Sequence, residues 1–243
     1  MMIKKLAALS LTIAVVMTAG LAQNSSKPYT EWSEKEVKKV LDNSPWAHSQ
    51  IETDTSEMFY KPDAVTANGP SSSSDRTTNG QTNQATSVNY HIRFLSALPV
   101  REAYARRIAL DQKTPNPQLL SQLQGFVERD FSAYIVVTVS YDTKDPRFAN
   151  TPNQAFAAAL AATLKPTTYL ERNDGKRLFL DDYKAPSPDG LGAKFIFSRI
   201  VDGGPFLSPT FTQVRFYSEL SKKIKLDQRF KISDMQYNGK LEY

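Results

Sequence analysis

Chemistry in this chain has to come from carboxylates and two imidazoles, because the 243 residues include no cysteine and only two histidines. The missing thiols remove disulfides, thiol nucleophiles, thiolate metal sites and a lipid-accepting cysteine together. His48 and His91 are not set in a His-Glu-x-x-His pattern. No third imidazole is present for a zinc site of the common kind, so no metal ligand is assigned. The carboxylates of interest are Asp142 and Asp145, Asp181 and Asp182, and Asp202 ahead of two glycines. Two of them brought within roughly 5 to 10 Å of each other can share acid and base work on a glycosidic bond, or several can bind calcium if their loops converge. Asp181 and Asp182 point to opposite faces of a strand and cannot both serve one site without a bend. The pair taken forward is therefore Asp142 with Asp182. The competing reading has strand-end aspartates closing turns through side-chain hydrogen bonds.

Other chemistries are absent by motif. There is no Gly-x-Ser-x-Gly elbow, no Gly-x-x-x-x-Gly-Lys loop and no dinucleotide fingerprint, and ten glycines leave little material for phosphate cradles. No cofactor is expected. A formal charge of +5, falling to +3 without Lys4 and Lys5, gives only mild attraction to anionic surfaces. A nucleic-acid partner would call for a basic stripe with interleaved aromatics, and none is expected. Lys222, Lys223, Lys225, Arg229 and Lys231 form the most basic segment. They read either as a patch for anionic lipid or polysaccharide, or as lysines that keep an outer strand from aggregating.

The elements that must position these groups begin after an export signal over 1–22. Lys4 and Lys5 give its positive start, Leu6 to Met17 its apolar run, and Gly20-Leu21-Ala22 a small-residue cleavage site. The protein is expected in the periplasm or outside the cell, with no transmembrane anchor once the signal is cut. A helical segment over 23–52 follows. Ser33 and Glu36 make a capping box, Val37, Val40 and Leu41 a narrow apolar stripe, and Ser44-Pro45 a stop. Residues 53–86, rich in Ser, Thr, Asn and Gln, read as a low-complexity flexible linker in which only Met58, Phe59 and Tyr60 suggest a short strand.

The run Trp32-Ser33-Glu34-Lys35-Glu36-Val37, with Leu41 and Ser44-Pro45-Trp46-Ala47, resembles the opening of a group of exported bacterial proteins of unassigned activity. The resemblance implies export and membership of that group, and it carries over no catalytic residue. Trp32 and Trp46 are the candidate binding residues, since exposed indoles stack on sugar rings and prolines; the alternative has both rings pinning the helix to the main body.

Residues 87–243 read as one α+β domain. Val88, Tyr90, Ile92 and Phe94 alternate with polar residues as a half-buried strand does, and Pro99 opens a helix through Ile108. Leu119 to Val127 is a second helix. Tyr134 to Tyr141 is continuously apolar or β-branched and is expected to be a central strand covered on both faces. Thr151-Pro152 starts a third helix whose apolar Ala155 to Leu164 run predicts burial on every side. Thr167 to Arg172 and Lys176 to Tyr183 flank an Asn173-Asp174-Gly175 hairpin turn, and strands are expected at Ala193 to Val201, Phe211 to Leu220 and Arg229 to Tyr237. The fold class is α+β: a largely antiparallel sheet of five to seven strands packed by about three helices, with a separate N-terminal helix. The function read from this is a non-enzymatic interaction module of the envelope or the secreted space, with an envelope protein or polysaccharide as partner. The alternative is a metal-independent hydrolase of cell-wall or polysaccharide material.

Overall fold

The computed structural model describes residues 27–54, 86–112, 114, 116–144 and 146–243. The expected signal, Met58 to Tyr60 with the bulk of the expected linker, and Asp145 lie outside the described residues.

In chain order the elements are α1 (Glu34–Asp42), β1 (Ala47–Asp54), β2 (Thr86–Phe94), α2 (Leu98–Asp111), α3 (Pro117–Val127), β3 (Tyr134–Thr143), α4 (Asn150–Ala158) and α5 (Ala161–Leu164). Then come β4 (Thr168–Arg172), β5 (Arg177–Phe179), β6 (Asp182–Lys184), β7 (Ala193–Ser198), β8 (Ile200–Val201), β9 (Gly204–Pro205), β10 (Gln213–Glu219), β11 (Lys225–Lys231), β12 (Gln236–Tyr237) and β13 (Lys240–Leu241). The fold is α+β, and its strands divide between two main antiparallel sheets, ordered β1-β2-β3-β7-β6 and β11-β10-β4-β5. Their inner faces meet ring to ring. Phe195 and Phe197 pack edge-on against Phe216, and Phe94 against Phe230 at 4.9 Å between centroids.

β3 is the middle strand of its sheet, and Ile135 to Val139 are buried, as its unbroken apolar run predicts. The chain changes sheets between β5 and β6, where a single strand was expected from Lys176 to Tyr183. Leu180 donates its N–H to Thr168 of one sheet, and Asp181 donates its own to Ile196 of the other. Buried Leu180 fills the corner between them. On the far side of β3, Gly192 lies against the backbone with φ +86°, where a Cβ would stand 2.3 Å from the Val139 carbonyl oxygen. Only glycine fits so close an approach.

Two expectations are corrected. The N-terminal helix is not a separate attachment. β1 pairs with β2 along its whole length from Ala47↔Arg93 to Asp54↔Thr86, and Val37, Val40 and Leu41 enter the main core. The expected linker therefore spans the two strands of one hairpin rather than joining two bodies. The capping box forms as read: Ser33 Oγ accepts from Glu36 N–H, and Glu36 Oε2 accepts from Ser33 N–H at 2.6 Å. The alanine-rich helix is not buried on every side. α4 and α5 break at Ala159-Leu160, only Pro152, Phe156 and Leu164 are buried, and Leu160 is 63% exposed. Alanine favours helix at little cost in water, so a run of alanines gives a helix without demanding a covered face.

Candidate functional site

Period-two alternation sets the site. On β2, Tyr90, Ile92 and Phe94 face the inner core, so Asn89, His91 and Arg93 face outward. Register then places Ser49 of β1 opposite His91, Ser140 of β3 opposite His91 on its other side, and Asp142 opposite Asn89. These side chains share the outer face of the first sheet, beside α1 and α2. They floor a polar cleft of about 520 Å³, whose walls include Lys38 and Asp42 of α1 and Arg107 of α2.

Arg93 anchors the floor. It is 4% exposed, and its guanidinium donates to the Leu41 carbonyl, the Tyr104 hydroxyl, the Ser140 hydroxyl and Asp42 Oδ1. The Leu41 carbonyl is one of the last-turn acceptors of α1 that have no partner within the helix. Asp42 sits at the negative end of the helix dipole, an unfavourable place for a carboxylate, and the Arg93 charge offsets it.

His91 is held on three sides. Its Nδ1 lies 3.0 Å from Ser49 Oγ and 3.6 Å from Asp42 Oδ1, and its Nε2 lies 2.5 Å from Asp142 Oδ2. A contact of that length to a carboxylate requires a proton on Nε2. The Asn89 amide nitrogen at 3.3 Å from the same Nε2 then cannot donate to it, and the amide is better placed with its oxygen turned that way. As oriented, Asn89 Oδ1 is the one buried side-chain polar atom without a partner among the described residues. Lys38 and Arg107 make no ion pair among the described residues. Arg107 is placed by the Tyr104 ring, over which its guanidinium lies at 4.7 Å.

The residues singled out from sequence distribute differently from expectation. Trp46 is fully buried: its Nε1 donates to the Glu242 carbonyl at 2.8 Å, and its ring meets Tyr237 edge-on. Trp32 is 6% exposed, with Nε1 donating to Lys27 and its own carbonyl accepting from Arg106 Nε at 2.7 Å. Neither indole presents a face for stacking; both pin α1 and the entry to β1 onto the body. Asp142 lies in the cleft and Asp182 does not. Asp182 is opposite Ile196, which is opposite Val136, six residues along β3 from Asp142. At about 3.4 Å per residue that offset alone is about 20 Å, too far for a carboxylate pair. The Asp182 carboxyl is held below its ordinary range by Lys184 at 2.7 Å and by the Tyr183 N–H, which suits a salt-bridged residue at a strand end. Asp202 similarly pairs with Lys176, at a positive-φ position in the β8–β9 turn.

His48 stacks on Phe230 at 4.5 Å, and burial lowers its pKa. Of the basic segment, Lys222 and Lys223 lie in the turn before β11, and Lys225, Arg229 and Lys231 belong to β11 itself, an edge strand of the second sheet. Its exposed edge is met by Gln50 of β1, whose side-chain amide donates to the Lys225 carbonyl and accepts from Asp227 N–H. Lys225 pairs with Glu219 and Lys231 with Asp234, so both charges are partly neutralised in place.

Ser49, Asp42, Arg93, Lys38 and Arg107 are site residues that sequence reasoning missed. The usable signal was polar alternation on β2, and β1 is too polar to be read as its partner. Among the described residues no group of three or more His, Asp or Glu is arranged to hold a metal, and no helix is long and apolar enough to cross a membrane. Comparison with protein-family models, with curated proteins and with solved structures gives no match.

Proposed function

We propose that this chain is an exported recognition module whose cleft on the outer face of the first sheet takes a small solute carrying a carboxylate or phosphate. Export rests on the basic, apolar and small-residue succession of 1–22 and on the resemblance carried by Trp32 to Ala47. The observation that carries the ligand class is the unequal state of the cleft's charges. Asp42 and Asp142 are engaged by Arg93 and His91, whereas Lys38 and Arg107 line the same space without a carboxylate partner among the described residues. An arriving anion meets two cations with no carboxylate partner among the described residues, over a floor of ordered donors, and needs to break little to bind.

Titration calorimetry of the full chain with succinate, set against the neutral succinamide, tests this. Succinate is expected to bind with a Kd of about 1 mM or tighter, equivalent to about 4 kcal/mol. The affinity should weaken at higher salt and fall at least about tenfold when Lys38 and Arg107 are both changed to Met. Equal heats for acid and amide, or none up to about 10 mM succinate, would refute the reading.

A further inference from the structure

The three residues that run across β1, β2 and β3 at the base of the cleft do more than fill an outer sheet face. Ser49 is exposed, and its hydroxyl is in hydrogen-bond contact with a ring nitrogen whose opposite nitrogen is held by a carboxylate. The 2.5 Å contact from Nε2 to Asp142 places a proton on Nε2, so that in the neutral ring the lone pair lies on Nδ1, facing Ser49. That is the order nucleophile, base, orienting carboxylate. The ring is presented in the sense opposite to the serine-protease triad, in which Nε2 meets the serine. Either nitrogen can serve as base, because the tautomer is set by whatever holds the other.

From this geometry we propose that Ser49 is an acyl-transfer nucleophile, with His91 as its general base and Asp142 as a positioning residue, acting on small esters. In the forward step Ser49 Oγ bonds to the ester carbonyl carbon while its proton passes to His91 Nδ1. Arg107 and Lys38, which line the same cleft, are the cations on hand for the tetrahedral oxyanion. The carbon–oxygen bond to the alcohol then breaks, and the proton on Nδ1 leaves with the alkoxide as free alcohol. Water repeats the sequence on the acyl-serine: its proton goes to Nδ1 and then to Ser49 Oγ, and a carboxylic acid departs. Preference for an acidic ester rests on the cleft reading above; the reactivity of Ser49 does not.

Besides Asp142 and Ser49, the charged groups around His91 are Asp42 and Lys38 of α1, Arg93 of its own strand and Arg107 of α2. The base must be unprotonated to take the Ser49 proton, so a change in what holds Nε2 should be read in the pH profile of the rate.

The experiment treats the full chain with a fluorophosphonate probe, maps the labelled peptide by mass spectrometry, and follows hydrolysis of mono-p-nitrophenyl succinate against p-nitrophenyl butyrate. Label on Ser49 is expected, absent in Ser49→Ala and cut by at least about 100-fold in His91→Gln, in line with general-base contributions. Asp142→Asn should slow hydrolysis and displace its pH profile. Circular dichroism spectra matching the parent would show these variants to be folded. A probe that leaves Ser49 unmodified on the folded parent, or hydrolysis unchanged in Ser49→Ala, overturns the proposal. An unchanged pH profile in Asp142→Asn overturns the role given to Asp142. Labelled Ser49 with no preference between the two esters upholds the nucleophile and removes the acidic-solute reading instead.

Discussion

Replacing Trp46 by alanine separates a structural ring from a ligand platform. The side chain is fully buried, its nitrogen bonded to Glu242 across 196 residues of sequence and its edge packed on Tyr237. An indole of this kind buries roughly 150–250 Å², which at about 25 cal/mol per Å² corresponds to about 4–6 kcal/mol. Measured truncations of large aromatic core residues cluster at about 3–5 kcal/mol. We expect about 4 kcal/mol, a fall of about 2 M in urea midpoint if the slope is about 2 kcal/mol per M. Trp46→Phe keeps most of the ring but leaves the Glu242 carbonyl without its indole donor, and about 1–2 kcal/mol is expected. Because the chain has two tryptophans, Trp32→Phe isolates the emission of Trp46, which should be blue-shifted and move red with unfolding. A midpoint shift under about 0.5 M for Trp46→Ala would refute the reasoning, since it is a quarter of the shift expected from burial of the ring.

Three further perturbations follow from the packing. Gly192→Ala combines a positive φ with a Cβ set against the Val139 carbonyl, so a loss of about 3 kcal/mol or more is expected in chemical denaturation; a loss below about 1 kcal/mol would mean the two segments part easily. Arg93→Met strands the Asp42 carboxylate and the Leu41 carbonyl and should cost about 3–5 kcal/mol. Adding Asp42→Asn should restore part of it, and strictly additive losses would show the pair to be uncoupled. Glu102 is pushed above the ordinary carboxylate range, chiefly by burial, against the opposing effects of the Tyr237 hydroxyl and Arg101. With the folded value above the unfolded one, its contribution is most favourable at pH below the ordinary glutamate range and is lost as pH rises through the folded value. Glu102→Gln should therefore raise the melting temperature at pH 8 and show no gain near pH 4; the reverse order in calorimetry would contradict the burial argument.

Segments with strong local signals were legible. The capping box at Ser33, the proline start of α2, the β-branched run of β3 and the Asn173-Asp174-Gly175 turn each act within a few residues. What failed depended on distant partners. β1 reads as a polar extension of α1 because it is an edge strand in which His48 and Gln50, which meet the second sheet, are themselves polar, and Ser49 on the other face lines the cleft. The Leu180–Asp181 corner is invisible because neither residue announces which sheet it will pair with. The site was half legible: His91 and Asp142 could be singled out by type. Ser49 stands 42 residues from His91 and Asp142 stands 51 from it, so only strand register brings the three together. A slip of one residue would send any of them to the opposite face.

The pairing of Asp54 with Thr86 brings the chain back to about 5 Å from where it departed. The β1–β2 ladder thus holds positions 54 and 86 one strand spacing apart. Evolution, or an engineer, meets there a pair of ends whose spacing suits a fluorescent reporter or an affinity tag with closely spaced termini.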